Sequence, residues 1–236
     1  MRHTDESFPL LAEGLLKLGI AQAFPDRIFS LLCRYIEEIE LFNHAYGLVK
    51  VKDRQELIVR HILDSIAPLG FLSRFQEKNV PGRIMRIADV GSGAGFPGIP
   101  LAICMPQAEF TLIERMGRRA GFLRDAQAVL GLSNILVEEC EMEKIPLNKE
   151  HSFDCVVFRA FKPLDPVILK GLFRLLGTNG IIAAYKGRRE SIEEEMTRLN
   201  EAAQKGIGPR AYRWEAFPLE VPFLNEERRL LVITMP

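Results

Sequence analysis

The sequence has few cysteines, no excess of charge of either sign and no long apolar run. Its four cysteines lie far apart without a C-x-x-C pair, which argues against a disulfide scaffold or zinc ribbon and fits a reducing cytosol. Lys+Arg and Asp+Glu both total 31, so any polyanion must be met by a local basic patch. No segment approaches the roughly 18 apolar residues of a membrane span, and the N-terminus lacks the apolar stretch of a signal peptide. We therefore expect a cytoplasmic protein that is not bound to a membrane.

The histidines do not provide a metal site either, because none of the four stands at metal-ligand spacing. The chain does have enough apolar residues to form a hydrophobic core: 47% of its 236 residues are hydrophobic and 26% are charged. That balance excludes a disordered chain. The length fits one large domain, or one domain with a helical extension.

Residues 1–82 are predicted to form an N-terminal helical extension. Apolar residues recur at helical spacing from residue 8 to 18, from 24 to 39 and from about 53 to 67, where Pro68 and Gly70 mark an end. We expect this region to pack as a cap on a domain that covers residues 83–236.

Residues 83–236 alternate short apolar runs with helical stretches. The runs begin at Ile87, Phe110, Ile135, Cys155, Ile181 and Leu230, and helices are predicted near 101–104, 118–130 and 166–176. Strands rich in Val and Ile that alternate with helices predict a parallel sheet covered on both faces. The fold class is therefore α/β, with a Rossmann-like doubly wound sheet. Its ligand should bind at the carboxyl ends of the strands, at the topological switch point.

A glycine-rich turn follows the first predicted strand. It contains Gly91, Gly93, Gly95 and Gly98, and the last three match the weak dinucleotide fingerprint G-x-G-x-x-G. Glycine tolerates positive φ and lets a backbone approach a ligand closely, so Gly91 and Gly93 are candidate cofactor-binding residues. A tight strand-to-helix turn without any ligand is the alternative.

The acid after the second strand fits either cofactor, and the two prolines of the turn favour S-adenosylmethionine over a dinucleotide. Glu114 ends the second strand, where an acid accepts hydrogen bonds from ribose hydroxyls in either cofactor. A dinucleotide also needs backbone N–H donors for its pyrophosphate, and Pro97 and Pro100 remove two of them from the turn.

Several segments together resemble the glucose-inhibited division protein B family, the RsmG-type 16S ribosomal RNA 7-methylguanosine methyltransferases. The matching segments are DRQELIVRHILDS at 53–65, DVGSGAGFPGIPL at 89–101, FRAF at 158–161, YKG at 185–187 and RRLLVI at 228–233. The resemblance spans about residue 40 to the end. Two departures stand out: Glu114 replaces a common Asp, and residues 47–49 replace a common Asn-Leu-Thr.

The resemblance implies a class I S-adenosylmethionine-dependent methyltransferase fold with an N-terminal helical extension. It implies methyl transfer to N7 of one guanine (guanine 527) in the 530 loop of bacterial 16S ribosomal RNA, free or within the small ribosomal subunit. It also implies cofactor contacts, which carry over onto Gly91, Phe96, Met142, Glu143 and Arg159.

The expected chemistry needs no catalytic side chain. Guanine N7 has an exposed lone pair and no proton, so neither a general base nor a nucleophile is required. Cys155 lies in a predicted buried strand and is interpreted as core. Arg159, at a strand's carboxyl end, could hold a cofactor carboxylate or an RNA phosphate. His61 is interpreted as a residue that docks the extension, not as a catalytic one.

RNA binding is predicted for two basic clusters that each follow a strand. The clusters comprise Arg115, Arg118 and Arg119, and Lys186, Arg188 and Arg189. Both begin at strand carboxyl ends, hence on the predicted cofactor side, where they could bind phosphates. Phe96 and Phe161 could offer stacking surfaces for a base or for adenine.

Two other functions remain open at this point. One is an NAD(P)-dependent oxidoreductase on the same type of sheet, although none of the four tyrosines is followed by Lys in a Tyr-x-x-x-Lys pair. The other is a non-catalytic RNA-binding module that retains the cofactor pocket.

Overall fold

The computed structural model describes residues 8–20, 25–146, 153–160 and 163–235. Its centre is a seven-stranded sheet with helices on both faces. The strands are β1 (Arg86–Val90), β2 (Glu109–Ile113), β3 (Ile135–Glu138), β4 (Phe153–Arg159), β5 (Leu176–Lys186), β6 (Arg213–Leu219) and β7 (Arg228–Thr234). The helices of the extension are α1 (Phe8–Lys17), α2 (Pro25–Tyr46), α3 (Arg54–Leu57), α4 (Asp64–Ile66) and α5 (Leu69–Asn79). Those of the sheet region are α6 (Gly98–Cys104), α7 (Gly117–Leu130), α8 (Pro166–Leu175) and α9 (Arg189–Gln204).

The strand order is β3-β2-β1-β4-β5-β7-β6. Strands β1 to β5 are parallel, and β7 runs antiparallel to both β5 and β6. The predicted doubly wound sheet is confirmed, but it is mixed and not wholly parallel. Chain order reverses between β1 and β4, and this is the switch point at which an open α/β sheet binds its ligand.

Alternating side chains of each strand supply two separate cores. Ile87 and Cys155 point into the core that the extension, α6 and α7 cover, whereas Ala88 and Val156 point into the core under α8 and α9. The period of two residues is that of any β-strand. Both faces are apolar, which explains why the strands read as continuous apolar runs.

The extension packs directly onto the sheet. An Asp53 carboxylate oxygen accepts a hydrogen bond from the backbone N–H of Glu56 at 2.8 Å and so starts α3. The π-helical segment Ile58–Leu63 joins α3 to α4. The predicted third helix ends at Ile66, just before Pro68, as expected, but Gly70 belongs to a further helix, α5, which begins at Leu69. The extension contributes to the same apolar core as β1 and β4, and the boundary at residue 82 stays a prediction.

None of the described helices combines the length and the apolar character of a membrane span.

Candidate functional site

The glycine turn joins β1 to α6 at the carboxyl end of β1. Gly91, Gly93 and Gly95 adopt φ values of 71°, 59° and 96°, a region that side-chain-bearing residues rarely occupy. The Gly91 N–H donates to the carbonyl of Ile113 at 2.8 Å, so the turn is tied to the end of β2. The sequence therefore predicted the turn correctly, and the structure shows why glycine is needed there.

Asp89, the buried residue that precedes the turn, holds the start of α6. Its Oδ2 accepts the Gly98 N–H at 2.9 Å, and a Cβ added at Gly98 would lie 2.6 Å from the same oxygen. Burial raises the pKa of Asp89 to about 7, although hydrogen bonds from Gly98 and Ser92 act in the opposite direction. Sequence reasoning did not identify this role. An acid two residues before the first glycine is the signal that points to it.

Glu114 braces the turn from the end of β2. One carboxylate oxygen accepts the Gly93 N–H at 2.9 Å, and the other accepts the Met116 N–H at 2.8 Å. The side chain is buried, at 4% exposure. Each oxygen still has a second lone pair available for another donor.

A cavity of about 390 Å³ opens beside the turn. Its walls include Gly91, Glu114, Met142 and Glu143, together with Ala160 at the end of β4. Met142 and Glu143 lie in a short 3₁₀-helix, Met142–Lys144, in which Met142 is buried and Glu143 is exposed. Four of the sequence-predicted cofactor residues thus line one cavity at the switch point.

Arg159 lies in a network with the extension. Its Nη1 atom donates to the Arg60 carbonyl at 2.7 Å and to Oδ2 of Asp64 at 2.9 Å. The Nη2 atom lies 2.7 Å from Nδ1 of His61. A guanidinium has five N–H donors, so the described contacts leave the Nε proton and one Nη2 proton for a ligand.

His61 serves this network as a neutral ring. Burial, together with the positive charges of Arg159 and Arg60, lowers its pKa to about 3. Neutral Nδ1 can then accept the hydrogen bond from Arg159. The histidine joins the extension to the end of β4, as its interpretation as a docking residue predicted.

Phe96 is buried instead of lining the cavity. Its ring centroid lies 5.6 Å from that of Tyr35 and 5.1 Å from that of His61, and the Arg159 guanidinium lies over it at 5.0 Å. Only 5% of Phe96 is exposed, so its side chain offers little surface for stacking. Phe161, the other predicted stacking residue, lies outside the described residues.

The two basic clusters differ in what surrounds them. Arg115 and Arg118 are exposed, and Arg115 and Arg119 line the cavity beside the turn. In the second cluster, Lys186 pairs with the buried Glu195 at 2.7 Å, while the exposed Arg189 pairs with Glu193 at 2.7 Å. Arg188 is exposed. Among the described residues, fewer carboxylates therefore pair with the first cluster than with the second.

Cys155 is fully buried, and burial raises the pKa of its thiol. In the described part of the chain, no group of three or more His, Cys, Asp or Glu side chains could hold a metal ion.

The family model described as "GidB: rRNA small subunit methyltransferase G" matches residues 28–210. A "Ribosomal RNA small subunit methyltransferase G" of Treponema denticola is 39% identical over 96% of this chain and 94% of that protein. This chain belongs to the GidB family. A protein of the same name from Escherichia coli strain K12 is 37% identical over 93% of this chain and 95% of its own length. The resemblance noted in the sequence is therefore confirmed, and family membership argues against the oxidoreductase alternative.

Solved structures confirm the fold of this GidB-family chain. A putative O-methyltransferase from Klebsiella pneumoniae superposes with a TM-score of 0.56 at 18% identity, covering 87% of this chain and 90% of that chain. A SAM-dependent methyltransferase from Aquifex aeolicus gives a TM-score of 0.53 at 21% identity, covering 72% and 91%. The fold is thus that of class I methyltransferases.

Proposed function

We propose that this chain transfers a methyl group from S-adenosylmethionine to N7 of a guanine in 16S ribosomal RNA, guanine 527 of the 530 loop. The observation that carries the proposal is the 390 Å³ cavity beside the glycine turn, at the switch point of a GidB-family chain. The substrate is 16S RNA, either free or in the small ribosomal subunit.

The residues around the cavity fit the cofactor. Gly91 and Gly93 have no Cβ atom, which allows their positive φ values and leaves the backbone of the turn open to a ligand. The free lone pairs of Glu114, which lines the cavity, suit ribose hydroxyls. Arg159 does not line the cavity itself, but it directly precedes Ala160, which does, and its remaining N–H groups suit the carboxylate of an amino acid. Met142 and Glu143 line the same cavity and would contact the bound cofactor.

The chain's own residues are required to position the reactants and not to move a proton. S-adenosylmethionine supplies, when bound, a methyl group on a positively charged sulfur. Guanine N7 has a lone pair and no proton, so no side chain has to act as a base. Positioning two reactants alone can contribute roughly 7–11 kcal/mol. His61 is not expected to act as a base either, because its Nδ1 is already in contact with Arg159.

The basic residues that border the cavity would bind the RNA backbone. Arg115 and Arg119 line the cavity and Arg118 is exposed nearby. A local patch of this kind can bind phosphates although the chain's net charge is zero. Lys186, Arg188 and Arg189 extend the proposed surface toward β5.

The decisive experiment measures transfer of a labelled methyl group from S-adenosylmethionine to RNA that lacks the modification. Purified protein is incubated with free 16S RNA and, separately, with small subunits, and the product nucleotide is mapped by mass spectrometry. Label on N7 of guanine 527 is the expected result. Label only on adenine or cytosine contradicts the proposal. RNA binding without any methylated product identifies a non-catalytic RNA-binding module instead.

A further inference from the structure

A second cavity lies next to the proposed cofactor site. It has a volume of about 320 Å³, lies between the ends of β4 and β5 and the start of α9, and shares Ala160 with the first cavity. Ala160 has a φ of 49°, which is uncommon for a residue with a Cβ. An acceptor atom must come to about 3–3.5 Å from the atom it attacks, so the acceptor has to bind in a space that adjoins the cofactor cavity. This cavity, here called the β4–β5 cleft, is such a space.

A buried ion pair lines the β4–β5 cleft. The Lys186 ammonium lies 3.0 Å from Oε1 and 2.7 Å from Oε2 of Glu195, and the two side chains are 18% and 7% exposed. Glu195 Oε1 also accepts the Leu164 N–H at 2.6 Å. Taking two charges out of water offsets much of their attraction, so stability alone is a weak reason for such a pair. Because the pair lies in the wall of a cavity, a role in ligand binding is the better explanation.

The hydrogen-bonding capacity of this pair is not fully used. An ammonium group has three protons, and the contacts with the two Glu195 oxygens use at most two of them. Oε1 accepts from Lys186 and from Leu164, whereas Oε2 lies 2.7 Å from the Lys186 ammonium and accepts no hydrogen bond from any other described residue. One donor and one acceptor therefore remain side by side in the wall of the cleft.

An adjacent donor and acceptor match guanine in one orientation, and adenine placed in that same orientation would set its amino donor against Lys186 and its N1 acceptor against Glu195. Guanine presents the O6 acceptor next to the N1–H donor, whereas adenine presents the N6 amino donor next to the N1 acceptor. Enzymes that modify a base read a splayed-out nucleotide by hydrogen bonds to this edge. N7 neighbours O6 on the ring, so a guanine held by this edge has its N7 beside the same pair.

We propose that the β4–β5 cleft binds the target guanine, with Lys186 donating to O6 and Glu195 accepting from N1–H. The ring of Phe158, over which the Lys186 ammonium lies at 5.8 Å, forms part of the cleft wall. Arg188 and Arg198, both exposed at the cleft, lie where they can bind the flanking phosphates. This inference rests on the proposed function and assigns Lys186 to the base instead of the RNA backbone.

The first test uses the unaltered protein and RNA with one base replaced at the target position. Inosine keeps O6 and N1–H but lacks the 2-amino group, whereas 2-aminopurine keeps the amino group and lacks both O6 and N1–H. Both analogues retain N7. We expect inosine RNA to be methylated within about threefold of guanosine RNA and 2-aminopurine RNA at least about tenfold more slowly. Equal rates on 2-aminopurine and guanosine would overturn the inference, as would loss of activity on inosine.

The second test compares Glu195→Gln with Glu201→Gln. Both change a glutamate on α9 to its amide, but Glu201 is exposed and does not line the cleft. In Glu195→Gln we expect the guanosine to 2-aminopurine rate ratio to fall about tenfold while the affinity for S-adenosylmethionine stays unchanged. The ratio should be unaffected in Glu201→Gln. A purely structural role for Glu195 would lower both rates together and leave the ratio as it was. If unaltered protein methylates no RNA, the proposed function fails; if it methylates guanosine without discrimination, only the inference fails.

Discussion

Arg159 at the end of β4 donates through Nη1 to Oδ2 of Asp64 in α4, at 2.9 Å and across 95 positions of the chain. Both side chains are largely buried, at 14% and 5% exposure. Asp64 also lies 3.3 Å from Nε of Arg228 in β7. One carboxylate therefore joins the helical extension to the proposed cofactor site and to the antiparallel hairpin at the edge of the sheet.

Replacing Arg159 with Ala should lower methyl transfer by roughly 10- to 100-fold, the equivalent of one charged hydrogen bond to a ligand. The buried Asp64 would also lose a partner, so the midpoint of thermal unfolding should fall. Initial rates with labelled S-adenosylmethionine and a thermal melt measure the two effects. Arg124→Ala, which removes an exposed pair with Glu139, is the matched control. Activity of the Arg159 variant within about twofold of the unaltered protein would refute its role.

Gly91→Val should weaken cofactor binding, because Gly91 has a φ of 71° and lines the cavity. A β-branched residue is a genuine outlier at that φ, so the turn would have to shift. Gly121→Val is the control, since a Cβ at Gly121 in α7 meets no atom within 4 Å. Isothermal titration with S-adenosylmethionine distinguishes the two variants. Unchanged affinity in Gly91→Val would count against a close approach of the ligand.

Glu114→Ala should destabilise the protein as well as weaken cofactor binding. The change leaves the part-buried N–H groups of Gly93 and Met116 without their acceptor, and since an unsatisfied group costs about 1–3 kcal/mol when fully buried, the loss here should be at most that for each group. Glu114→Gln retains a carbonyl oxygen and should lose less. Urea unfolding monitored by circular dichroism gives the stability order, which we expect to be parent, then Gln, then Ala. Equal stability of Ala and parent would show that Glu114 does not brace the turn.

The His61→Asn change should make the free energy of unfolding depend less steeply on pH at acidic pH. Burial and the charges of Arg159 and Arg60 lower the pKa of His61 in the folded state from 6.5 to about 3. A depressed folded pKa contributes stability above pH 6.5 that is lost as the pH falls toward 3, because only the unfolded chain binds the proton. The slope attributable to this group is at most about 1.4 kcal/mol per pH unit. Urea unfolding at several pH values between 7.5 and 4.5 measures it. Parallel profiles for parent and variant would exclude the assignment.

Cys155→Ala should leave the rate of methyl transfer to guanine unchanged. The thiol is fully buried in β4 and its pKa is raised by burial, and an acceptor nitrogen with a lone pair needs no thiolate nucleophile. The variant should lose about 1 kcal/mol of stability through the smaller side chain. Loss of transfer by a variant that remains folded would indicate covalent chemistry and contradict the proposed mechanism.

Some elements have a local signature, and these could be predicted from the sequence. The central strands are continuous apolar runs because both of their faces are buried, and the glycine turn appears as its four glycines. Strand β6 was missed because it is an edge strand that contains Pro218 and has no fully buried residue. The long helix α9 was also missed; its four buried residues are spread among many charged ones.

The α/β class, the position of the turn and, through several short segments, the family could all be inferred from the amino-acid sequence. Each of these depends on residues close together in the chain, where burial and backbone conformation restrict the choice of amino acid. The contacts of Arg159 with His61 and Asp64, the burial of Phe96 beside them and the pairing of Lys186 with Glu195 in the β4–β5 cleft became apparent only once the chain was folded. Most of these contacts join residues that lie far apart in the sequence, so the local spacing of residue types does not indicate which of them will pair.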